Sequence, residues 1–182
     1  TSISFYQKSI KIDQMFKESY FGLGRSLSKL DKWFEAIHFF KKAYKIDNKN
    51  IEYVKSLAYA EFKVGNLVSS IDLYSKAVEM QPDDYKLSLD FSLIYYESGD
   101  IEKAIDIIDQ AIEESPGESL LYYRLVIYLM DAGRYKESIN VLESALSLNF
   151  DNHDVLFDFV PNFESQSALI RVINQFKYSG NR

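Results

Sequence analysis

Two histidines, His38 and His153, are the only imidazoles in the chain, and cysteine is absent. An imidazole can act as a base, activate a nucleophile or bind a metal, but each task needs a partner group at a defined spacing. No register of the sequence supplies one to either residue, so both read as surface histidines on a scaffold. Without cysteine there is no thiolate nucleophile, disulfide or Cys-based zinc site. The stretch Phe21-Gly22-Leu23-Gly24 holds a lone Gly-x-Gly. It lacks the third glycine and the preceding strand of a phosphate loop, and Gly24 has a competing packing role. Nine carboxylates, Asp90, Glu97, Asp100, Glu102, Asp106, Asp109, Glu113, Glu114 and Glu118, stand against Lys86 and Lys103 over residues 85–118, a local balance of −7. Their spacing matches no calcium loop, and carboxylates strung along helices without a tuned partner form a solvated face rather than an acid–base pair. Residues 17–50 run the other way, with eight Lys or Arg against four Asp or Glu. Lys41, Lys42 and Lys45 there are expected on an outer helix face, where solubility accounts for them. No catalytic residue, metal ligand or cofactor site is expected, and the chain reads as a non-enzyme.

The charge of the whole chain limits its partners. A net charge of −6 and a pI near 5.0 argue against bulk binding to a phosphate backbone, which needs a basic face. The longest apolar run, 120–130, is interrupted by Arg124 and falls short of the roughly 20 residues of a membrane span. Nucleic acid and membrane insertion are therefore not expected, and a protein or peptide partner is. The compartment is not written in the sequence, with the cytoplasm slightly favoured.

The elements that must position these residues repeat. In the stretch from Ile51 to Asp84, Val54, Leu57 and Ala58 lie on one helical face, Gly65-Asn66 breaks the run, and a second helix extends from Leu67 to Met80 before Pro82. Sliding this unit by 34 residues superposes Leu23-Gly24, Leu57-Ala58, Phe91-Ser92 and Leu125-Val126. It also superposes Ala36, Ser70, Ala104 and Ser138, and then Ala43, Ala77, Ala111 and Ala145. Small residues recurring on both helices let the axes approach closely. Most of the 14 Tyr and 13 Phe are accordingly read as packing between helices.

Period, small residues and turn together resemble the tetratricopeptide repeat. The resemblance implies an all-α, right-handed superhelical solenoid of antiparallel helix pairs, with first helices lining the concave side. The units are 17–50, 51–84, 85–118 and 119–152. Residues 1–16 align with a second helix lacking its first, so the chain is expected to be a fragment of a longer, bacterial protein of this kind. Ile3, Phe5, Tyr6 and Ile10 would then offer a face for self-association. Asp31 stands where the turn usually has Gly, and Glu61 where an apolar residue is usual, with Phe62 expected to compensate. After residue 152 the period weakens, and Pro161 is expected to cut the next first helix short. Residues 153–182 read as a cap, closed by a helix with Leu169, Val172, Ile173 and Phe176 on one stripe.

The resemblance further implies a groove for a peptide segment. Its groove-facing positions correspond to Phe21, Arg25, Lys55, Tyr59, Phe62, Leu89, Leu93, Tyr96, Tyr123, Arg124, Ile127 and Met130. Apolar and aromatic groups dominate this set, which favours an apolar-anchored peptide. The carboxylate clamp of Lys, Asn, Asn, Lys and Arg known in the family is absent. Phe21, Arg25, Ser56, Lys86 and Asp90 stand in its place. The leading expectation is a protein-interaction scaffold; the alternative is a structural or oligomerisation segment of a larger protein.

Overall fold

The computed structural model describes residues 2–4, 17–160, 163 and 166–179. All regular elements among them are helical. They are α1 (Lys17–Ser28), α2 (Trp33–Ile46), α3 (Ile51–Lys63), α4 (Leu67–Met80), α5 (Tyr85–Glu97), α6 (Ile101–Glu114), α7 (Ser119–Asp131) and α8 (Tyr135–Leu148), then a 3-10 turn (Phe150–Asp154), α9 (Val155–Phe159) and α10 (Ser167–Ser179). The chain forms two compact units, Thr1–Gln81 and Pro82–Arg182. In the first, α1 packs on α2, α2 on α3 and α3 on α4. In the second, α5 packs on α6, α6 on α7 and α7 on α8, while α9 lies on α7 and α10 on α8. Residues 2–4 are helical, and 5–16, the remainder of the expected N-terminal helix, lie outside the described residues, as does Pro161.

The turns between paired helices show why the period is so regular. Backbone φ is positive at Asp31 (56°), Gly65 (83°), Gly99 (89°) and Gly133 (74°), one residue every 34. At each, the following amide reaches back five residues, Lys32 N to Leu27 O, Asn66 N to Glu61 O, Asp100 N to Tyr95 O and Arg134 N to Leu129 O, at 2.8–3.1 Å. This is a Schellman closure, which satisfies the last carbonyls of the first helix and reverses the chain for the second. Glycine enters the left-handed region without steric cost, and Asp is among the few other residues that visit it, since its short polar side chain can offset the Cβ clash by local hydrogen bonding. Three helix starts are likewise written in side chains, those of α3, α5 and α6. Asn50 Oδ1 accepts from Glu52 N and Tyr53 N, Asp84 Oδ1 from Lys86 N and Asp100 Oδ1 from Lys103 N.

The cores form where the small residues recur. Ala36, Ser70, Ala104 and Ser138 are buried, as are Ala43, Ala77, Ala111 and Ala145. Gly24 marks the closest approach: a Cβ built there would stand 2.6 Å from the Phe40 ring. Leu23, Leu27, Ile37, Phe40 and Leu57 make the core of the first unit, each full burial of such a side chain being worth about 1.5–3 kcal/mol. Leu169, Val172 and Ile173 seat α10 on the second core, with Phe176 half-buried at its edge.

One expectation needs correction. Glu61 is not excused by Phe62; its carboxylate is itself fully buried and held by charge and amide. Asn66 Nδ2 donates to Oε2 at 2.6 Å, and Lys41 Nζ lies 2.7 Å from Oε1. The lysine contact has ion-pair distance but not hydrogen-bond angles, so its value is Coulombic. Lys41 is consequently more than a solubilising residue on an outer face. After residue 149 the chain continues in short helical pieces. Asn149 Oδ1 caps a 3-10 turn by accepting from Asp151 N, and α9 follows for five residues only. Val160 is extended, as a residue before proline prefers.

Candidate functional site

Each unit presents its first helices differently. In the first, Phe21 and Arg25 line a groove of about 690 Å³ beside Ile3, with Glu18 and Lys29 at its rim. Phe21 is half-buried because its ring packs at 4.7 Å on Tyr53 and 5.7 Å on Phe40, and the Arg25 guanidinium lies 5.9 Å from its centre. Tyr59 is 39% exposed and meets Trp33 edge-on at 5.5 Å, with Lys63 Nζ over its ring at 5.4 Å. Lys55 lies 3.9 Å from Glu52, and Phe62 is half-buried. The first-unit positions thus combine packing and display within the same side chains.

The second unit brings Leu93, Tyr96 and Arg124 to one face. Tyr96 on α5 stacks on Tyr128 of α7 at 4.7 Å and 24°, and its hydroxyl donates to the Asp131 carboxylate. Partial burial first, and then that carboxylate, push the Tyr96 phenol up to about 12. Arg124 Nη1 donates to Tyr128 Oη at 3.2 Å, and its guanidinium lies 4.0 Å from the centre of the Phe159 ring and 5.8 Å from that of Tyr128. Ser92 Oγ is 3.1 Å from the Tyr128 hydroxyl. Burial raises the Tyr128 phenol as well, with Arg124 opposing. Leu93 is half-buried beside Tyr96, and Phe159 is 36% exposed. Two aromatic rings and a hydroxyl therefore fix the guanidinium, a low-entropy arrangement suited to recognition.

Three expected groove residues are placed elsewhere. Tyr123, Ile127 and Met130 are buried. Tyr123 Oη donates to Asn149 O at 2.9 Å, tying α7 to the 3-10 turn, and burial pushes this phenol up strongly. All three are inward because α7 is enclosed by α6, α8 and α9, which leaves little of its surface free. Conversely, Asp131 and Phe159 on the face, and the buried Tyr128 beneath it, had not been expected there. Tyr128 shares its register with Ala60 and Ile94, both buried, and Phe159 lies beyond the repeats. The sequence held no signal for either.

The charged outer helix also resolves. Lys42 Nζ sits over Tyr20 at 5.2 Å and Phe39 at 5.6 Å, so Lys41 and Lys42 both have packing partners. His38 is exposed, while His153 places Nδ1 2.7 Å from Phe150 O. Among the described residues no group of three or more His, Asp or Glu could hold a metal ion, and no helix is long and apolar enough to cross a membrane.

Comparison with known proteins agrees with this geometry. A tetratricopeptide repeat family model matches residues 61–126, and a second model of the same description matches 17–50 and 120–152. No curated protein matches. Among solved structures, the crystal structure of MamA superposes with a TM-score of 0.73 at 22% identity, over 84% of this chain and 89% of that one. The crystal structure of YrrB, a TPR protein with an unusual peptide-binding site, gives 0.68 at 18% identity, over 86% and 80%. MamA 41-end from Desulfovibrio magneticus RS-1 gives 0.63 at 11% identity, over 91% and 97%. Helix pairs closed by a positive-φ residue every 34 positions, buried small residues recurring at the same period and two matching family models converge: the chain belongs to the tetratricopeptide repeat family.

Proposed function

We propose that this protein is a non-catalytic interaction scaffold that holds a peptide segment of a partner protein against its first-helix faces. The observation that carries the reading is the α5–α7–α9 face. Tyr96, Arg124 and Phe159 reach the surface there already locked by Tyr128 and Asp131. A face fixed before binding loses little side-chain freedom on binding. Tyr and Arg are the residue types that dominate binding hot spots. The peptide-binding site described for YrrB is a precedent on a similar fold. Support for a non-catalytic role comes from the raised phenols of the second unit, Tyr96, Tyr123 and Tyr128. Burial, helped by Asp131 at Tyr96 and by the charge of Asp151 at Tyr123, is the first cause of each, rather than a poised reactive partner.

The test is affinity capture with the intact protein, identification of the captured chains, and binding of the captured segment to Tyr96→Ala and Arg124→Ala. A true anchor costs about 2 kcal/mol or more on truncation. Unchanged affinity in both variants, with helicity retained, refutes the face as the binding site. The alternative reading, a structural or oligomerisation segment of a larger repeat protein, draws on a different observation: Leu30, Phe34 and Val68 are 58%, 79% and 76% exposed in the first unit. Apolar exposure of this size favours cover by another surface. Light scattering of Phe34→Ser and Val68→Ser variants against the parent decides it, since loss of an associated species is expected only under that reading.

A further inference from the structure

Resting on that reading, we infer the chemistry of the segment held by the second unit: a basic one, in which Lys or Arg side chains flank an apolar anchor. The anchor follows from the floor of the face, where Leu93 and Tyr96 are half-buried and Phe159 keeps 36% of its surface in water. Covering these removes apolar surface without displacing a charged group. The flanks follow from the charges around that floor. Glu97, next to Tyr96, is exposed, and its field is felt at the Tyr128 hydroxyl. Asp131 is exposed and bound to the Tyr96 hydroxyl. The cation of this face, Arg124, is already engaged by Tyr128 and Phe159 and is half-buried.

The second unit as a whole strengthens the same preference. It carries eighteen Asp and Glu against eight Lys and Arg, a balance of −10, whereas the first unit carries nine against thirteen, a balance of +4. Charges more than about 10 Å from the bound segment are screened at ordinary ionic strength. The distant carboxylates therefore mainly speed the encounter, while Glu97 and Asp131 stand close enough to set affinity. An acidic flank would meet these two carboxylates against the single guanidinium of Arg124, a net repulsion, and would be disfavoured.

The experiment is selection of a phage-displayed random peptide library on the intact protein. Enriched peptides are then synthesised and titrated by fluorescence anisotropy against the parent, Phe159→Ala and the double variant Glu97→Gln with Asp131→Asn. Circular dichroism confirms that each variant keeps its helicity. Binders with a net charge of about +2 or more are expected, with affinity falling about tenfold in the carboxylate double variant and a flatter dependence on salt. Neutral or acidic binders that lose affinity in Phe159→Ala overturn the charge inference while leaving the face as a peptide site. Basic binders indifferent to the double variant overturn it equally. An empty selection, or binders indifferent to Phe159→Ala, overturns the peptide-face reading and this inference with it.

Discussion

Replacing Lys41 by Met tests whether a buried charge holds the first unit together. The substitution keeps the length and apolar stem of the side chain and removes only the ammonium, which lies 2.7 Å from Glu61 Oε1. Glu61 stays fully buried and is left with the Asn66 amide as its remaining partner. Removing one member of a buried pair typically costs about 3–5 kcal/mol, because the other charge is stranded away from water. Here the Lys41 side chain is 57% exposed, so water already screens one end of the pair and the expected loss is smaller. We expect about 2–3 kcal/mol after that discount.

Trp33 is the sole tryptophan of the chain and packs on Tyr59 of α3, the helix that carries Glu61. Its fluorescence during urea unfolding therefore reads the unit in question, and helical circular dichroism reads the whole array. Both are needed because long repeat arrays can depart from two-state behaviour. The double variant Lys41→Met with Glu61→Met should recover most of the loss, since replacing both partners by apolar groups leaves no stranded charge. Lys42→Met serves as the control, its ammonium resting on exposed-side aromatic contacts with Tyr20 and Phe39, and should cost about 1 kcal/mol or less. A Lys41→Met shift below about 0.5 kcal/mol, or a double variant no better than the single one, would refute the Coulombic account of Glu61.

Gly24→Ala should destabilise the first unit by about 1–3 kcal/mol by driving a Cβ into the Phe40 ring, with recovery on adding Phe40→Leu, both read by urea unfolding. Asp31→Gly should stabilise by about 0.5–1 kcal/mol, as it removes a side chain from a left-handed residue, which a rise in thermal midpoint would show. Ala111→Leu should cost about 1–3 kcal/mol in the second unit, and an unchanged midpoint would remove the close-contact assignment of that alanine. Stability should fall as pH rises from about 10 to 12, because the Tyr96 phenol is raised in the fold and the unfolded chain releases its protons first. Tyrosinate absorbance should show a phenol titrating near the upper end of that window, absent in Tyr96→Phe.

What could be read from the sequence and what could not divide along a physical line. Turn position and helix–helix distance are local properties, set by one residue that accepts a positive φ and by side-chain size. Asp31, Gly65, Gly99, Gly133 and the alanine series therefore announced themselves. Which way a first-helix residue faces is a local property only while the helix has a polar side. In α7, nine of thirteen residues are buried, and apolar side chains run almost round the helix. Periodicity then carries no phase, and Tyr123 and Tyr128 cannot be told apart. Their roles are set by what encloses α7: Asn149 takes the Tyr123 hydroxyl, while Tyr96 and Arg124 meet Tyr128. Glu61 fails for a related reason, since its ammonium comes from the preceding helix pair and no spacing rule along one helix links it to Lys41. The candidate site depends on such cross-helix company throughout. Phe159, outside the repeats altogether, reaches Arg124 only because the cut-short α9 lies against α7. A repeat pattern thus fixes the spacing of a binding face, whereas its chemistry is decided by the residues at which the pattern breaks.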